Sequence, residues 1–526
     1  MARLQHWASV QPDKIAVQMA DGLALSYRQL HEKAEGVARW LVSLGLPEGA
    51  CIGILMENRL ETFELWWGAR RAGLYYVPIS THLKAAEVAH LLRDSGTSVL
   101  VTSSANAATA AAATALLDSS APVRRIALDG DVSEFEHYAS SVGADLPDCT
   151  LQGRSVGREF MYSSGTTGLP KGIKRALVPY ERRLELPELE KQLRRMFQID
   201  AETVYLHPSP LYHATGRFVV RVIETGGSCV VLPSFNAQAT LAAIERHRVT
   251  HGHWVPTMFV RLLALPQSVR EGYDLSSLRV TLHAAAPCAL HVKQAMIEWW
   301  GPIVHEYYGG SENVGVTYIE AVDWLSHRGS VGRPITGQVH ITAEDDPLRE
   351  LPAGEIGTIY FSGGLNFEYH GDSAKALSAF NDKGWGTYGD LGHVDSEGYL
   401  YISDRRTDLI ISGGVNIYPR EVEAVLLDHE IVGDVAVIGV PNSEYGQEVK
   451  AVVELKAGKH ATEVLGAQLI DWCTGRLSRI KCPRSVDFVD ALPRNENGKL
   501  LKRVLREQYA DRAVGDPHQE SKALAS

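Results

Sequence analysis

The sequence has few cysteines and no long apolar run. Its six cysteines, at positions 51, 149, 229, 288, 473 and 482, are scattered, and no two of them form a CxxC pair. This pattern excludes a disulfide framework and indicates reduced thiols in a cytosolic protein. No run of ~18 or more apolar residues occurs, so no membrane-spanning helix is expected. The opening residues MARLQHWASVQPDK also lack the apolar stretch of a secretory signal.

Basic residues are in the minority. The chain has 52 Lys and Arg against 63 Asp and Glu, which gives a formal net charge of -11 and a sequence pI of about 6.0. Such an acidic chain is not expected to bind nucleic acid or an anionic membrane surface. What it does contain is 45% hydrophobic residues and 47 glycines in 526 residues. It therefore predicts a large core, many tight turns or backbone–ligand contacts, and a soluble intracellular α/β enzyme.

Helical and strand-like segments alternate through most of the chain. Helical apolar spacing is present in YRQLHEKAEGVARWLVSLGL, which ends at Gly45, and again in RLETFELWWGARRAGL, while ACIGILM between them is typical of a short buried strand. This alternation predicts parallel sheets with βαβ crossovers.

The pattern changes twice towards the C-terminus. From about Glu355 the sequence becomes rich in strand-forming residues, and after DRRTDL a new set of one helix and two strands begins. We therefore expect a large domain at 1–404 and a smaller one at 405–512. The polar residues that follow, 513–526, are expected to form a disordered tail.

One short stretch, YSSGTTGLPKG at 162–172, is typical of a phosphate-binding loop. Its glycines let backbone N–H groups approach an anion, its hydroxyls add donors, and Lys171 supplies a compact positive charge. It is not the common P-loop, because Pro170 and Gly172 flank the lysine. A flexible linker is the alternative, but linkers rarely contain this string.

The stretch resembles the signature of the AMP-forming adenylating superfamily, which includes acyl-CoA synthetases, coumarate:CoA ligases, peptide-synthetase adenylation domains and firefly luciferase. The resemblance extends from Trp7 to about Arg506, with further motifs in the family's order. It implies a large N-terminal domain of parallel βαβ sheets plus a distorted β-barrel, followed by a small, mobile α+β domain.

The resemblance also implies a nucleotide site. In YYGGSE at 307–312, Tyr308 would stack on adenine and Glu312 would hold Mg²⁺ with Thr166 and phosphate oxygens. In TYGDLG at 387–392, Asp390 would accept hydrogen bonds from the ribose hydroxyls. The residues implied to bind ATP or AMP are Ser163, Ser164, Gly165, Thr166, Thr167, Lys171, Tyr308, Ser311, Asp390, Arg405 and Lys499.

The acid pocket is implied by PLYHATG at 210–216 and HAAAPC at 283–288. Its implied residues are His213, Trp254, Ala284, Ala285, Gly309 and Gly310. A satisfied core histidine is the alternative for His213. No aspartate is placed to bind an amino group, so we expect a hydrophobic monocarboxylate: a fatty, steroid or bile-acid-like, or aryl acid.

Two other groups of residues were weighed. His251 and His253 share one face of a strand, which could indicate a metal site. No third ligand is nearby in the sequence, so we expect the two histidines to be packed in a strand pair. Lys174 and Arg175 follow the phosphate loop and are expected to be solvated.

The implied reaction has two steps. The carboxylate attacks the α-phosphate of ATP to give acyl-AMP, with Lys499, Thr166 and Mg²⁺ bound by Glu312 stabilising the developing charge. The C-terminal domain then rotates about a hinge at Thr407, a position where the family usually has Asp or Lys. The rotation presents ISGGVNIYP, in which Ser412, Gly413 and Gly414 would contact CoA.

The sequence indicates a CoA ligase of fatty-acid or lipid metabolism, but it leaves other functions open. They are an adenylating enzyme that loads a carrier protein, a non-catalytic nucleotide-binding sensor, and a luciferase-like oxygenase. The sequence also leaves the oligomeric state open, and a homodimer is one alternative.

Overall fold

The computed structural model describes residues 2–118, 122–142, 150–163, 171–310, 313–363, 379–405, 407–413, 415–442, 444–494 and 500–515. Within these ranges the strands form sheets of thirteen, six, five and two strands. Among the helices that lie in them, none has the length and apolar character needed to cross a membrane.

The helices are α1 Ala2–Val10, α2 Tyr27–Ser43, α3 Leu60–Ala72, α4 Ala85–Ser95, α5 Ala107–Ala115, α6 Tyr138–Val142, α7 Glu188–Met196, α8 Gly216–Ile223, α9 Ala237–His247, α10 Pro256–Leu263, α11 Gln267–Arg270, α12 Leu290–Trp300, α13 Ala321–Ser326, α14 Pro419–Leu427, α15 Glu463–Thr474 and α16 Lys502–Gly515, with 3₁₀ turns at Ser104–Asn106 and Tyr180–Arg182. The strands are β1 Ile15–Met19, β2 Ala24–Ser26, β3 Cys51–Leu55, β4 Tyr75–Ile79, β5 Thr97–Thr102, β6 Arg124–Ala127, β7 Glu136–His137, β8 Arg158–Glu159, β9 Met161–Ser163, β10 Lys171–Ile173, β11 Val204–His207, β12 Ser228–Val231, β13 His251–Trp254, β14 Val280–His283, β15 Val304–Gly309, β16 Val316–Ile319, β17 Ser330–Pro334, β18 Gln338–Thr342, β19 Gly357–Ser362, β20 Asp390–Val394, β21 Leu400–Arg405, β22 Ile410–Ser412, β23 Val415–Ile417, β24 Val432–Asn442, β25 Gly446–Leu455 and β26 Ser485–Val489.

The six-stranded sheet confirms the predicted βαβ alternation. Its strand order is β7-β6-β5-β3-β4-β8, and the neighbouring strands are parallel. Helix α2 begins at a capping box in which Ser26 and Gln29 bond each other's backbone N–H groups. Helix α3 ends at Gly73, whose φ of 72° is the left-handed conformation that glycine adopts at low cost.

Helices α2 and α3 pack so closely that Gly68 of α3 has no space for a side chain. A Cβ atom built on Gly68 would lie 2.3 Å from Cγ1 of Val37. We expect Gly68→Ala to lower the free energy of unfolding by about 1–3 kcal/mol, although alanine usually favours a helix. Gly36→Ala in α2 is the matched control, because its nearest atom would lie 3.6 Å away. Denaturant midpoints that fall equally for both variants would contradict this packing.

The thirteen-stranded sheet positions the candidate site. Its order is β18-β19-β20-β21-β17-β16-β15-β14-β13-β11-β12-β1-β2. Strands β15, β14, β13, β11, β12 and β1 are parallel, whereas the arm from β15 to β18 is antiparallel. The parallel strands β11, β13 and β14 therefore end along one edge of the sheet, at His207, Trp254 and His283.

The antiparallel arm corresponds to the predicted distorted barrel, but in the described residues it is not closed. Strand β18 is the last strand of the arm, and no ladder joins it to another strand within those ranges. The arm instead curls around a small core of its own, formed by Val314, Val331, Ile341, Ile359, Phe361 and Leu400.

The third large sheet has the order β23-β22-β25-β24, with β26 beside β25. Residues from Ile410 onwards form the hydrophobic clusters around it, which supports our proposal of a domain boundary at 404/405. Helix α16 extends to Gly515, three residues into the segment that we expected to be a tail. The rest of that segment lies outside the described ranges.

Candidate active site

Several of the predicted site residues lie in chain segments at the carboxyl ends of parallel strands. Tyr308 and Gly309 end β15, Ala284 follows β14, and His213 lies in the connection between β11 and α8. Ligands of open α/β sheets bind at this edge, because the strand-to-helix connections there leave a crevice.

The two residues implied to hold adenosine are joined by a hydrogen bond. The Tyr308 hydroxyl donates to Oδ2 of Asp390 at 2.5 Å, and Asp390 is only 5% exposed. Three strands lie between β15 and β20 in the sheet, so this contact depends on the curl of the antiparallel arm. Asp390 also lies directly opposite Arg405 on β21. The fold thus brings three predicted nucleotide residues, 82 and 15 positions apart in sequence, to one place.

Aromatic rings fix the position of Tyr308. The Tyr388 ring lies edge-on at 5.6 Å between centroids, and the Phe361 ring lies at 6.2 Å. The Tyr388 hydroxyl in turn donates to the Gly315 carbonyl at 2.8 Å. The hydroxyl of Tyr308 is therefore held at the Asp390 carboxylate.

Removing the Tyr308 hydroxyl should weaken nucleotide binding. In Tyr308→Phe the buried Asp390 carboxylate loses a charge-assisted hydrogen bond, of the kind that contributes about 1.5–3 kcal/mol. We expect KM for ATP to rise about tenfold or more with a smaller change in kcat. Tyr401→Phe is the matched control, since it removes a Tyr–Asp bond of 3.2 Å, to Asp395, at the other end of the same strand pair. Equal KM values for the two variants would contradict the proposed role.

A two-stranded hairpin brackets the predicted phosphate loop. Strands β9 and β10 are antiparallel, with Ser163 directly opposite Lys171. Residue Gly172 lies against Phe160, whose ring carbon would be 2.5 Å from an added Cβ. The Tyr162 hydroxyl donates to Asp94 at 2.6 Å and anchors the hairpin to helix α4. The loop residues Ser164, Gly165, Thr166 and Thr167 lie outside the described ranges.

The two cations after this loop are not simply solvated, contrary to the sequence-based expectation. Lys174 Nζ lies 4.7 Å from the centre of the Tyr75 ring and 5.4 Å from that of Phe160. The Asn313 amide is assigned the orientation that satisfies its neighbours, and in that orientation Nη2 of Arg175 donates to its side-chain oxygen at 3.1 Å. Burial and the nearby Arg217 cation lower the pKa of Arg175 to about 10.

The Arg175 contact connects two parts of the predicted site. The amide nitrogen of Asn313 donates to the Gly310 carbonyl at 3.3 Å, so the strand that leaves the phosphate loop is tied to the loop after β15. Sequence reasoning missed this link. A second cation close behind the loop, in KGIKR, and an asparagine directly after the SE of YYGGSE were the available signals.

The residues implied for the acid pocket are not all on one side of the sheet. His213 is half-buried, with the Tyr212 ring edge-on at 4.7 Å. The Trp254 side chain is fully buried among Phe259 and Trp300, in the core that faces α10 and α12. The structure does not bring Trp254 together with His213, because alternate side chains of β13 point to opposite faces.

The turn after β14 combines a buried and an exposed alanine. Ala284 is 6% exposed and its N–H donates to the Trp254 carbonyl at 3.3 Å. Ala285 is exposed and has a φ of 74°, a strained conformation for a residue other than glycine. Gly309 and Gly310 lie beside this turn at the end of the neighbouring strand β15.

The residues implied for CoA and for the hinge lie at the start of the third sheet. Ser412 is buried and pairs with Gly446, while Gly413 has a φ of 56° and donates to the Tyr445 carbonyl at 2.9 Å. Thr407 is exposed in the turn between β21 and β22. Gly414 lies outside the described ranges, as do Ser311, Glu312 and Lys499.

Family models match the chain in two segments. The model described as AMP-binding enzyme covers residues 4–368, and the model described as AMP-binding enzyme C-terminal domain covers residues 421–499. The first match alone spans more than half of the chain.

Similar proteins extend over almost the whole chain. The long-chain-fatty-acid–CoA ligase FadD13 of Mycobacterium tuberculosis is 32% identical over 514 residues, with 96% of this chain and 98% of that protein covered. A feruloyl-CoA synthase of an Amycolatopsis species is 31% identical, with 95% and 97% covered. Among solved structures, ATP-bound MatB from Rhodopseudomonas palustris is 30% identical with a TM-score of 0.81, over 97% of this chain and 99% of that chain.

The structural similarity confirms the predicted fold class of a large N-terminal α/β domain and a smaller C-terminal domain. The matched models confirm the resemblance that the sequence motifs indicated. The chain belongs to the AMP-binding enzyme family, the AMP-forming adenylating superfamily.

Proposed function

We propose that the protein activates a hydrophobic monocarboxylic acid with ATP and transfers the acyl group to CoA. The observation that carries the proposal is the link from Arg175 through Asn313 to Gly310. It joins the strand leaving the phosphate loop to the segment that follows Tyr308, whose hydroxyl bonds Asp390. This link supports the proposal that the phosphate loop and the adenosine-binding pair form one site.

The general activity follows from the family. The protein is an AMP-forming acyl-CoA synthetase, with ATP, CoA and a small carboxylic acid as substrates. The acids in the names of the two relatives differ, one a long-chain fatty acid and the other feruloyl. Both are monocarboxylic and largely apolar, which supports the proposed substrate class.

In the first step, the carboxylate oxygen attacks the α-phosphorus of ATP and pyrophosphate leaves. Tyr308 would stack on the adenine and Asp390 would accept hydrogen bonds from the ribose, which orients the α-phosphate. Lys171 and the hydroxyls of the phosphate loop would bind the phosphates, and Lys499 would stabilise the charge that develops on the attacked group.

Mg²⁺ is part of this proposal. Glu312 and Thr166 would supply the hard oxygen donors that this ion prefers. When bound, the ion would neutralise charge on the phosphate oxygens.

In the second step, the CoA thiol attacks the acyl carbon of acyl-AMP and AMP leaves. We propose that the C-terminal domain turns about Thr407 so that Ser412, Gly413 and Gly414 line the path of the thiol. The exposed position of Thr407 supports this, and so does the separate core of the third sheet.

The region behind the site supports an apolar acid. A small cavity lies between helix α8 and strands β11, β13 and β14, and most of its lining is apolar or aromatic: Phe197, Ile199, Tyr205, Phe218, Val222, Val280 and Leu282, with His251 and Gly252. An acyl group that passes His213 would extend along α8 towards this cavity.

A reducing compartment fits the thiols of the protein. Cys51, Cys229, Cys288, Cys473 and Cys482 are free, and burial raises the pKa of Cys51 to about 11. Buried, protonated thiols of this kind are inert. We propose that the reaction takes place in the cytoplasm.

The proposal is tested by AMP release with ATP, Mg²⁺ and CoA across acetate, octanoate, palmitate, a cinnamate, a phenylalkanoate and a bile acid. We expect CoA-dependent AMP release with at least one hydrophobic acid and at most weak release with acetate. Pyrophosphate release that does not depend on CoA would indicate that the acceptor is a carrier protein. No turnover with any acid would favour the nucleotide-sensor alternative.

A further inference from the structure

Two buried histidines beside the acid pocket have ring nitrogens without a hydrogen-bond partner. His207 is 0% exposed and His253 is 1% exposed, yet Nε2 of His207 and Nδ1 of His253 have no partner. A buried polar atom left without a hydrogen bond destabilises the folded protein. Such atoms need an explanation, and a bound ligand is one.

The two imidazoles lie next to each other at the carboxyl ends of neighbouring strands. Strands β11 and β13 are parallel, with Leu206 opposite Gly252, so the residues that follow are adjacent. Besides burial, the His207 ring lowers the pKa of His253 and of His213, the residue at the predicted mouth of the acid pocket. His207 is therefore close to both rings.

The same side chains border the small cavity. The Phe218 ring, which lines the cavity from α8, lies 4.7 Å from the His253 ring. Tyr205, which lines it from β11, lies 6.0 Å from the His207 ring. An acyl group that extends from His213 along α8 towards the cavity would therefore lie close to the His253 ring.

A tyrosine indicates which nitrogen of His253 carries the proton. The Tyr307 hydroxyl lies 3.3 Å from Nε2 of His253. When this hydroxyl donates, the proton of the neutral ring stays on Nδ1, so His253 presents an N–H donor at its unpartnered atom. His207 differs, because its ring has a hydrogen bond to the Pro210 backbone.

The donor is neutral, which limits the groups that it recognises. Burial lowers the pKa of His207 to about 4 and that of His253 to about 3, so neither ring is charged at neutral pH. A neutral N–H donor in an apolar site matches an uncharged oxygen, whereas a second carboxylate would lack a counter-ion.

We propose that His253 selects acids that carry a hydroxyl or oxo oxygen on their hydrophobic part. This inference rests on the proposed function and narrows its substrate class. A site built to bond a substrate oxygen rejects the analogue without it, because the buried donor is then left unpaired.

The test compares kcat/KM for matched pairs of acids: a phenylalkanoate with and without a ring hydroxyl, octanoate and 7-oxooctanoate, and a cholanoate with and without a ring oxygen. The wild-type protein should favour the oxygenated member of at least one pair by about tenfold or more. His253→Phe keeps a ring of similar size. It should bring that ratio close to 1, because it should lower kcat/KM only for the oxygenated acid.

The matched control is His305→Phe. His305 is also a buried histidine of the same sheet, but its Nδ1 accepts from the Ala321 N–H at 3.1 Å, so the ratio should be retained. Equal kcat/KM within every wild-type pair would overturn the inference and assign the two nitrogens to buried water. An equal loss for both acids in His253→Phe would also overturn it. Turnover without preference contradicts only this inference, whereas no turnover contradicts the proposed function itself.

Discussion

Replacing Lys499 by alanine should lower the rate of acyl-AMP formation about 10²–10³-fold, the usual effect of losing one preorganised donor at a developing charge. The same variant should convert preformed acyl-AMP and CoA to thioester at close to the wild-type rate. The reason is that Lys499 is proposed to bind the attacked phosphate only in the first step. Its segment follows Arg494, which pairs with Leu500, and it belongs to the domain proposed to rotate.

The two half-reactions are measured separately, as pyrophosphate release from ATP and acid, and as acyl-CoA formation from synthetic acyl-AMP. Lys459→Ala is the matched control, since Lys459 is an exposed lysine of the same domain and lies far from the motif in sequence. It should leave both rates unchanged. Equal losses in both half-reactions of Lys499→Ala would contradict the proposed division of labour.

Replacing Gly414 by leucine should impair only the second half-reaction. The neighbouring Gly413 has a φ of 56°, and its N–H is held by the Tyr445 carbonyl at 2.9 Å. On either side, Ile411 is 52% exposed and Val415 is 39% exposed. A bulky side chain here would occupy the proposed path of the CoA thiol, and overpacking of this kind costs about 1–3 kcal/mol. We expect thioester formation to fall about tenfold or more, with acyl-AMP formation unchanged.

The control for this variant is Gly458→Leu. Gly458 is a glycine of the same domain, and no atom lies within 4 Å of an added Cβ, so a leucine there meets no steric obstacle. Its half-reactions should both match the wild type. An unchanged kcat with CoA for Gly414→Leu would show that the thiol takes another path.

The sequence predicted the parallel sheets because βαβ alternation depends on local patterns. Helix α2 ends at Ser43, close to the predicted end at Gly45, and β3 coincides with the predicted buried strand. The contact between Tyr308 and Asp390 could not be predicted from periodicity, because it depends on the curl of strands that are not neighbours in the sheet. The same curl leaves the predicted barrel open in the described residues.

Burial was the other quantity that local patterns did not reveal. Arg175 was expected to be solvated because a lone arginine usually is, but it lies against Asn313 in the folded chain. Trp254 was implied to line the acid pocket, yet its side chain lies in the core on the opposite face of β13. A strand pattern gives alternation between two faces and does not say which face meets the ligand.

The central claim is that the acid is activated as acyl-AMP before it reaches CoA, and oxygen-18 transfer tests it most directly. The enzyme is supplied with ATP, Mg²⁺, CoA and an accepted acid labelled in both carboxylate oxygens, and AMP is examined by mass spectrometry. The account predicts one labelled oxygen in AMP for each acyl-CoA formed, because the attacking carboxylate oxygen leaves with the phosphate. Acyl-CoA formation with unlabelled AMP, or with label in inorganic phosphate, would contradict it.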